Sequence, residues 1–295
     1  MATKQEEALA RYKSLAAGKK GQPLEDGTII LLGAMTSGKT VLGLTASDQC
    51  PDVLPAKEMT ELEDIAYIPV EAGGLDSLRG LRLRVSPKNV IPFAEILADV
   101  KHPIEAWNIS IDMVKSLGVT KAFGDSVSKL DGLLQGWLET KEGKEQWGGD
   151  KFARFRYSLA SHQVAALKIA EFAGLKLLSF HPRAVVEDLD SKGQEKGQTA
   201  LAMDKAMERK DKAAGTIANA DLTLGVTGGA RDLWPKDASL ILGLQQVKQG
   251  NEYVREVLTR FDEKSGLAVK SRFEGILAPK EEAHLGKMLR KIRSF

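Results

Sequence analysis

Cysteine is nearly absent from this chain. Cys50 is the only one in 295 residues, so an internal disulfide is excluded and a reducing, cytoplasmic setting is the expectation. No apolar run approaches the length that crosses a bilayer, and Met1-Ala2-Thr3-Lys4-Gln5-Glu6-Glu7 does not read as a signal peptide. An excess of one charge is missing too: the formal net charge is +2, so any nucleic-acid role must come from local basic patches. No internal repeat stands out. What remains, 43% hydrophobic and 28% charged residues, suits a soluble globular protein of one large domain or two small ones.

Against that plain background one motif is specific. Gly33-Ala34-Met35-Thr36-Ser37-Gly38-Lys39-Thr40 fits G-x-x-x-x-G-K-[ST], a loop that cradles phosphates. Glycines let the backbone turn through positive φ and present N–H groups to phosphate oxygens. Lys39 supplies a point charge for the β- and γ-phosphates, and the Thr40 hydroxyl suits Mg²⁺. The context agrees. Residues 28–32 (Thr-Ile-Ile-Leu-Leu) read as a buried strand, and residues 41–46, from Val41 on, as a helix whose N-terminus faces the anion.

Further along, strands are expected at 65–70, 119–124, 175–180, 221–226, 240–244, 254–261 and 267–272, with helices at 127–138 and 152–172. Pro69 demotes the first of these strands from a central place or marks its end. Residues 187–212 read as a charged, polar stretch. The alternation, followed by a strand-rich end, predicts an α/β fold with a mainly parallel central sheet, flanking helices and late antiparallel strands. Residues 1–22 read as an amphipathic arm (Ala8, Leu9, Tyr12, Leu15, Ala16) and linker, 23–278 as the nucleotide-binding domain, and 279–295 as a basic C-terminal helix.

A phosphate loop alone does not hydrolyse anything. Asp125, at a strand end, is the candidate Mg²⁺-side carboxylate with Ser126 fixing its orientation; capping the next helix is the other role open to it. Glu71, at the end of the strand after the loop, suits a water-orienting base, or is an exposed loop acid. His181 suits a γ-phosphate sensor, or is held by local backbone. Lys270 and Arg272 share one strand face and are either solvated or reach a neighbouring subunit's nucleotide.

This ordered series resembles the RecA-like P-loop ATPases, and is most similar to small phage nucleotide-binding proteins of the AAA family, including RecA-related single-strand annealing proteins. The resemblance covers about residues 25–277 and rests on 33–40, 70–75, 124–126, 178–181 and 269–273. It implies ATP and Mg²⁺ as ligands, held by Gly33 to Thr40 with Val41, and Thr40 and Asp125 on the metal side. It also implies that Glu71 activates water, that His181 senses the γ-phosphate, and that Lys270 and Arg272 act on a neighbour's nucleotide in a homo-oligomer. Met35 and Thr36 depart from the Pro and Gly often found inside the loop, and Gly124 interrupts the aliphatic run before Asp125.

By the same resemblance, DNA-binding loops fall at about 140–152, with Lys141, Lys144, Trp147 and Lys151, and 183–218, with Arg183, Lys192, Lys196, Lys205, Arg209, Lys210 and Lys212. A tryptophan among lysines suits base stacking with phosphate contact. Acidic residues are mixed into both segments, so solvated loops are the competing reading. The basic run 287–293 suits nucleic acid or packing on the core. The expected function is an ATPase acting on single-stranded DNA in phage recombination, annealing or replication, located in the host cytoplasm if phage-encoded. The alternatives are a nucleotide-switched assembly protein without a DNA substrate and, last, a small-molecule kinase.

Overall fold

The computed structural model describes residues 24–148, 150–189, 195–201, 221–227, 229–249, 252–260, 267, 269–273 and 275–294, with the backbone alone at 151, 183–189, 195–201, 221–223 and 252. The expected N-terminal arm and most of the second expected DNA loop lie outside the described residues or side chains.

The first half of the chain runs β1 (Thr28–Gly33), α1 (Lys39–Leu44), β2 (Thr60–Leu62), β3 (Ile65–Pro69), α2 (Asp76–Arg79), β4 (Leu83–Val85), α3 (Phe93–Val100), α4 (Pro103–Ser116) and β5 (Lys121–Asp125). Then come α5 (Val127–Leu138), α6 (Lys141–Trp147), α7 (Lys151–Ala170), β6 (Leu175–Phe180), β7 (Pro182–Leu189), β8 (Glu195–Leu201) and β9 (Asp221–Leu224). The chain closes with α8 (Ala230–Lys236), β10 (Leu240–Gln249), β11 (Glu252–Leu258), β12 (Lys270–Ser271), β13 (Lys280–Glu282) and α9 (Leu285–Arg293). None of these helices is long and apolar enough to cross a membrane.

The main sheet has the order β13-β11-β10-β1-β6-β5-β3, with β12 paired to β10. Strands β10, β1, β6, β5 and β3 are parallel, and β11, β12 and β13 join antiparallel. This is the mainly parallel sheet with late antiparallel additions that the sequence predicts. β1 lies at its centre, which is why its apolar run is continuous: Ile30 and Leu32 enter the core on one face, Ile29 and Leu31 the core on the other. The first face is covered by α4, α5, α7 and α8 side chains such as Trp107, Leu134, Ala165 and Trp234. The second is covered by α1 and α9, through Leu42, Leu44, Met288, Leu289 and Ile292. Pro69 ends β3, the edge strand, where its missing N–H costs no ladder bond.

Several expectations change. The 221–226 strand ends at Leu224 and leaves the main sheet, pairing antiparallel with β7 in a separate sheet with β8. Part of the polar 187–212 stretch is thus strand, because local charge does not prevent a backbone ladder between neighbours. The 267–272 strand shrinks to Lys270–Ser271, and the 254–261 strand is Glu252–Leu258. The helices α3 and α4 lie in a stretch for which the sequence predicts nothing.

Gly124, the residue that interrupts the aliphatic run of β5, has a steric reason. A Cβ there would lie 2.6 Å from Trp107 Cη2, and that ring is pinned by its indole N–H donating to Ala165 O at 3.2 Å. Gly124→Val is expected to destabilise the fold by about 3 kcal/mol or more, since the overpacked ring has nowhere to move. Thermal and urea melts check it. Beneath α5, buried Asp131 receives hydrogen bonds from His162 Nε2–H (2.9 Å), Thr227 (2.8 Å) and Gln135 (3.2 Å). His162 Nδ1 accepts from the Trp234 indole, which fixes the tautomer and ties α5, α7 and α8 together.

The two segments expected to meet nucleic acid look different in place. Trp147 ends α6, lies half-buried against the core and donates its indole N–H to Leu138 O at 2.9 Å. The basic helix α9 packs on the core with Leu285, Met288, Leu289 and Ile292 buried, and its cations face this chain's own acids. Lys287 pairs with Glu282, Lys291 with Glu281, Arg290 with Asp52 and Arg293 with Asp48.

Candidate phosphate-binding site

The loop leaves β1 at Gly33, turns through Thr36 at φ 64° and Gly38 at φ 95°, and enters α1 at Lys39. At Gly38 the positive φ demands glycine. At Gly33 the reason is space, because a Cβ would lie 2.5 Å from Ser37 Oγ and 3.0 Å from Leu244 O. Ser37 Oγ is buried and has no hydrogen-bond partner among the described residues. α1 spans six residues and begins two residues before the 41–46 helix that the sequence suggests.

Strand order brings the other candidates to this loop. β6 lies beside β1, and β5 and β3 beyond it, so His181 after β6, Asp125 at the end of β5 and Glu71 just past β3 converge on one sheet edge. They line a cleft of about 360 Å³ together with Met35, Thr36, Gly38, Lys39, Thr40, Val41 and Arg255.

Asp125 is buried and fully engaged. Its Oδ2 accepts from Thr40 Oγ1 at 2.6 Å and from the Tyr67 hydroxyl at 3.0 Å, while Oδ1 accepts from Ser179. It does not cap the following helix; Ser126 does, accepting from Lys129 N at 3.2 Å. Ser126 therefore orients Glu71, to which it donates at 3.3 Å, rather than Asp125. Burial first, then the adjoining Asp125, raise the Tyr67 phenol far above its ordinary range, so it remains a donor. Gly74 leaves room beside this pair: a Cβ there would meet the Tyr67 hydroxyl at 2.2 Å and Asp125 Oδ2 at 3.2 Å.

Lys39, His181 and Glu71 form a chain. Lys39 Nζ donates to Gly33 O and Ala34 O, both at 2.8 Å, and meets His181 Nδ1 at 3.3 Å. With the ammonium donating to Nδ1, the His181 proton sits on Nε2, which donates to Glu71 Oε2 at 3.0 Å. The imidazole is thus held by two site residues and not by local backbone. Burial lowers the Lys39 pKa to about 8, against the opposing pull of Asp125 and Glu71. For Glu71, burial works against ionisation, yet hydrogen bonds from His181 and Ser126 and the Lys39 charge outweigh it and hold the carboxyl below its usual range.

Lys270 and Arg272 do not join this cleft. β12 pairs with the start of β10, at Leu240 and Ile241, whereas the loop lies beside Leu244 at the other end of that run. Lys270 Nζ donates to Pro235 O at 3.2 Å, and Arg272 is exposed. Tyr67, Ser179 and Arg255 are the site residues that sequence reading does not single out. Alternation within 65–69 and 175–180 places the first two on a strand face, but nothing local announces an acceptor for them.

No protein-family model and no curated protein matches this sequence. Among solved structures, a KaiC-like protein from the hyperthermophilic archaeon Pyrococcus horikoshii OT3 is 12% identical, with 88% of this chain and 85% of that chain covered and a TM-score of 0.38. Flagellar accessory protein FlaH from Methanocaldococcus jannaschii is 9% identical, with 90% and 88% covered and a TM-score of 0.37. On its own strand order, this chain has an α/β fold with a mainly parallel central sheet flanked by helices, whose central strand leads into the 33–40 loop.

Proposed function

We propose that this chain binds ATP with Mg²⁺ at the 33–40 loop and hydrolyses it. The observation that carries the reading is the 2.6 Å hydrogen bond between Thr40 and Asp125, residues 85 apart in sequence. A hydroxyl and a carboxylate are the hard oxygen donors that Mg²⁺ takes alongside phosphate oxygens and water. Thr40 and Asp125 would hold the ion, which when bound neutralises phosphate charge. Lys39 binds the phosphate chain, backbone N–H groups of 34–40 line it, and Glu71 orients and deprotonates the attacking water. His181 holds Glu71 through Nε2–H and reports phosphate occupancy through its contact with Lys39. Lys270 and Arg272, remote from their own cleft, suit a role on a neighbouring subunit's nucleotide in a homo-oligomer.

Two cellular settings fit such an ATPase: action on single-stranded DNA in phage recombination or annealing, and nucleotide-switched assembly without DNA. The packed Trp147 and the internally paired cations of α9 favour the second.

The test is phosphate release from MgATP, with and without single-stranded DNA, by wild type and Asp125→Asn. Wild type is expected to turn over and Asp125→Asn to lose at least tenfold in rate, with DNA changing neither. Stimulation by DNA would restore the DNA-acting reading, and no saturable ATP binding by wild type would sink the proposal.

A further inference from the structure

The cleft is short of positive charge for the ligand it suits. Lys39 faces two carboxylates, Asp125 and Glu71, so without further help these groups sum to a net negative site for a polyanion. Among the described residues lining the cleft, one other cation is present: Arg255.

Its position follows from the β10–β11 hairpin. β10 pairs with β1 as far as Leu244 opposite Gly33, and then runs on past the sheet edge, paired only with β11. That overhang lies on the opposite side of the loop from β5 and β3, which carry Asp125 and lead into Glu71. Gln246 and Arg255 are direct cross-strand partners on the overhang, and both reach the loop. Gln246 Nε2 donates to Thr36 O at 3.3 Å. Arg255 lies across Gly38: a Cβ built there would come within 3.1 Å of Arg255 Nε and 3.3 Å of Cζ. Arg255 is exposed and forms no ion pair among the described residues, whereas its neighbour Glu256 is paired with Lys280. A guanidinium without a carboxylate, laid beside a phosphate loop, is a planar donor set matched to phosphate oxygens.

We infer that Arg255 is a phosphate-binding residue acting in cis, contacting the polyphosphate chain of the nucleotide held by its own subunit from the side opposite Thr40 and Asp125. The inference rests on the nucleotide-binding reading and adds a second cation to it. Gln246 is the positioning residue, fixing the hairpin against the loop.

The experiment is equilibrium titration with a fluorescent ATP analogue and Mg²⁺, with inorganic tripolyphosphate as competitor, on wild type, Arg255→Ala, Arg255→Lys and Lys39→Ala. Arg255→Ala is expected to weaken both ATP and tripolyphosphate about tenfold or more and to flatten the salt dependence of binding. Arg255→Lys should recover part of the loss, and Arg255→Ala should melt as wild type because the side chain is exposed. If Arg255→Ala binds both ligands as tightly as wild type while Lys39→Ala does not, the Arg255 assignment is overturned and the nucleotide reading stands. If wild type itself shows no saturable binding, both fall.

Discussion

Lys39→Ala is expected to weaken MgATP binding at least a hundredfold while leaving the chain folded. All three ammonium protons are engaged within the site, by Gly33 O, Ala34 O and His181 Nδ1, so the charge is already directed at the loop interior. The side chain is buried, and its pKa falls from 10.5 to about 8 because burial disfavours the charged form. Two consequences of opposite sign follow. Binding needs the ammonium, so wild-type affinity should fall about tenfold between pH 7 and pH 9 as the free site loses its proton. The nucleotide-free fold behaves the other way. Between about pH 8 and pH 10.5 the unfolded chain binds more protons at this lysine than the folded chain, so Lys39's contribution makes stability rise with pH across that window. Removing the charge relieves up to about 3 kcal/mol of burial cost at neutral pH, which is why Lys39→Ala should not unfold. Isothermal titration at pH 7, 8 and 9 and melts of the free protein check both arms. A pH-independent affinity in wild type would show that Lys39 does not carry the binding charge.

Glu71→Gln is expected to lower the rate of phosphate release by two to three orders of magnitude with ATP affinity unchanged. Glu71 Oε2 accepts from His181 and Ser126, and Oε1 accepts nothing among the described residues, leaving one oxygen for a water in the cleft. Its carboxyl is held ionised by those donors and Lys39 despite burial, so it is a base at neutral pH. Glutamine keeps the shape and the His181 contact but has no lone pair of carboxylate strength to take a proton. Single-turnover rates against binding constants separate the two effects. Turnover at the wild-type rate in Glu71→Gln would leave the residue as an anchor for the imidazole.

The β1–loop–α1 unit is legible because its causes are local. A strand buried on both faces must be continuously apolar, and a loop that turns at Gly38 with φ 95° must have glycine there. β6 is buried along its whole length too, although Lys176 and Ser179 interrupt its apolar run. Gly124 could be seen as odd but not explained, because Trp107, which fills its place, arrives on another element. The polar stretch that holds the end of β7 and all of β8 misleads because a backbone ladder between neighbouring strands needs no apolar periodicity. The charges of α9 looked available to nucleic acid until the acids that meet them came into view.

Sequence by itself therefore determined the phosphate loop, its flanking strand and the candidates Glu71, Asp125 and His181. Only tertiary structure decided how they act together. Thr40 finds Asp125 across 85 residues and Lys39 finds His181 across 142, and Arg255 reaches Gly38 from the far hairpin. Hydrogen bonds and Coulomb forces depend on distance in space, and the order of strands in the sheet, which no local pattern encodes, sets that distance.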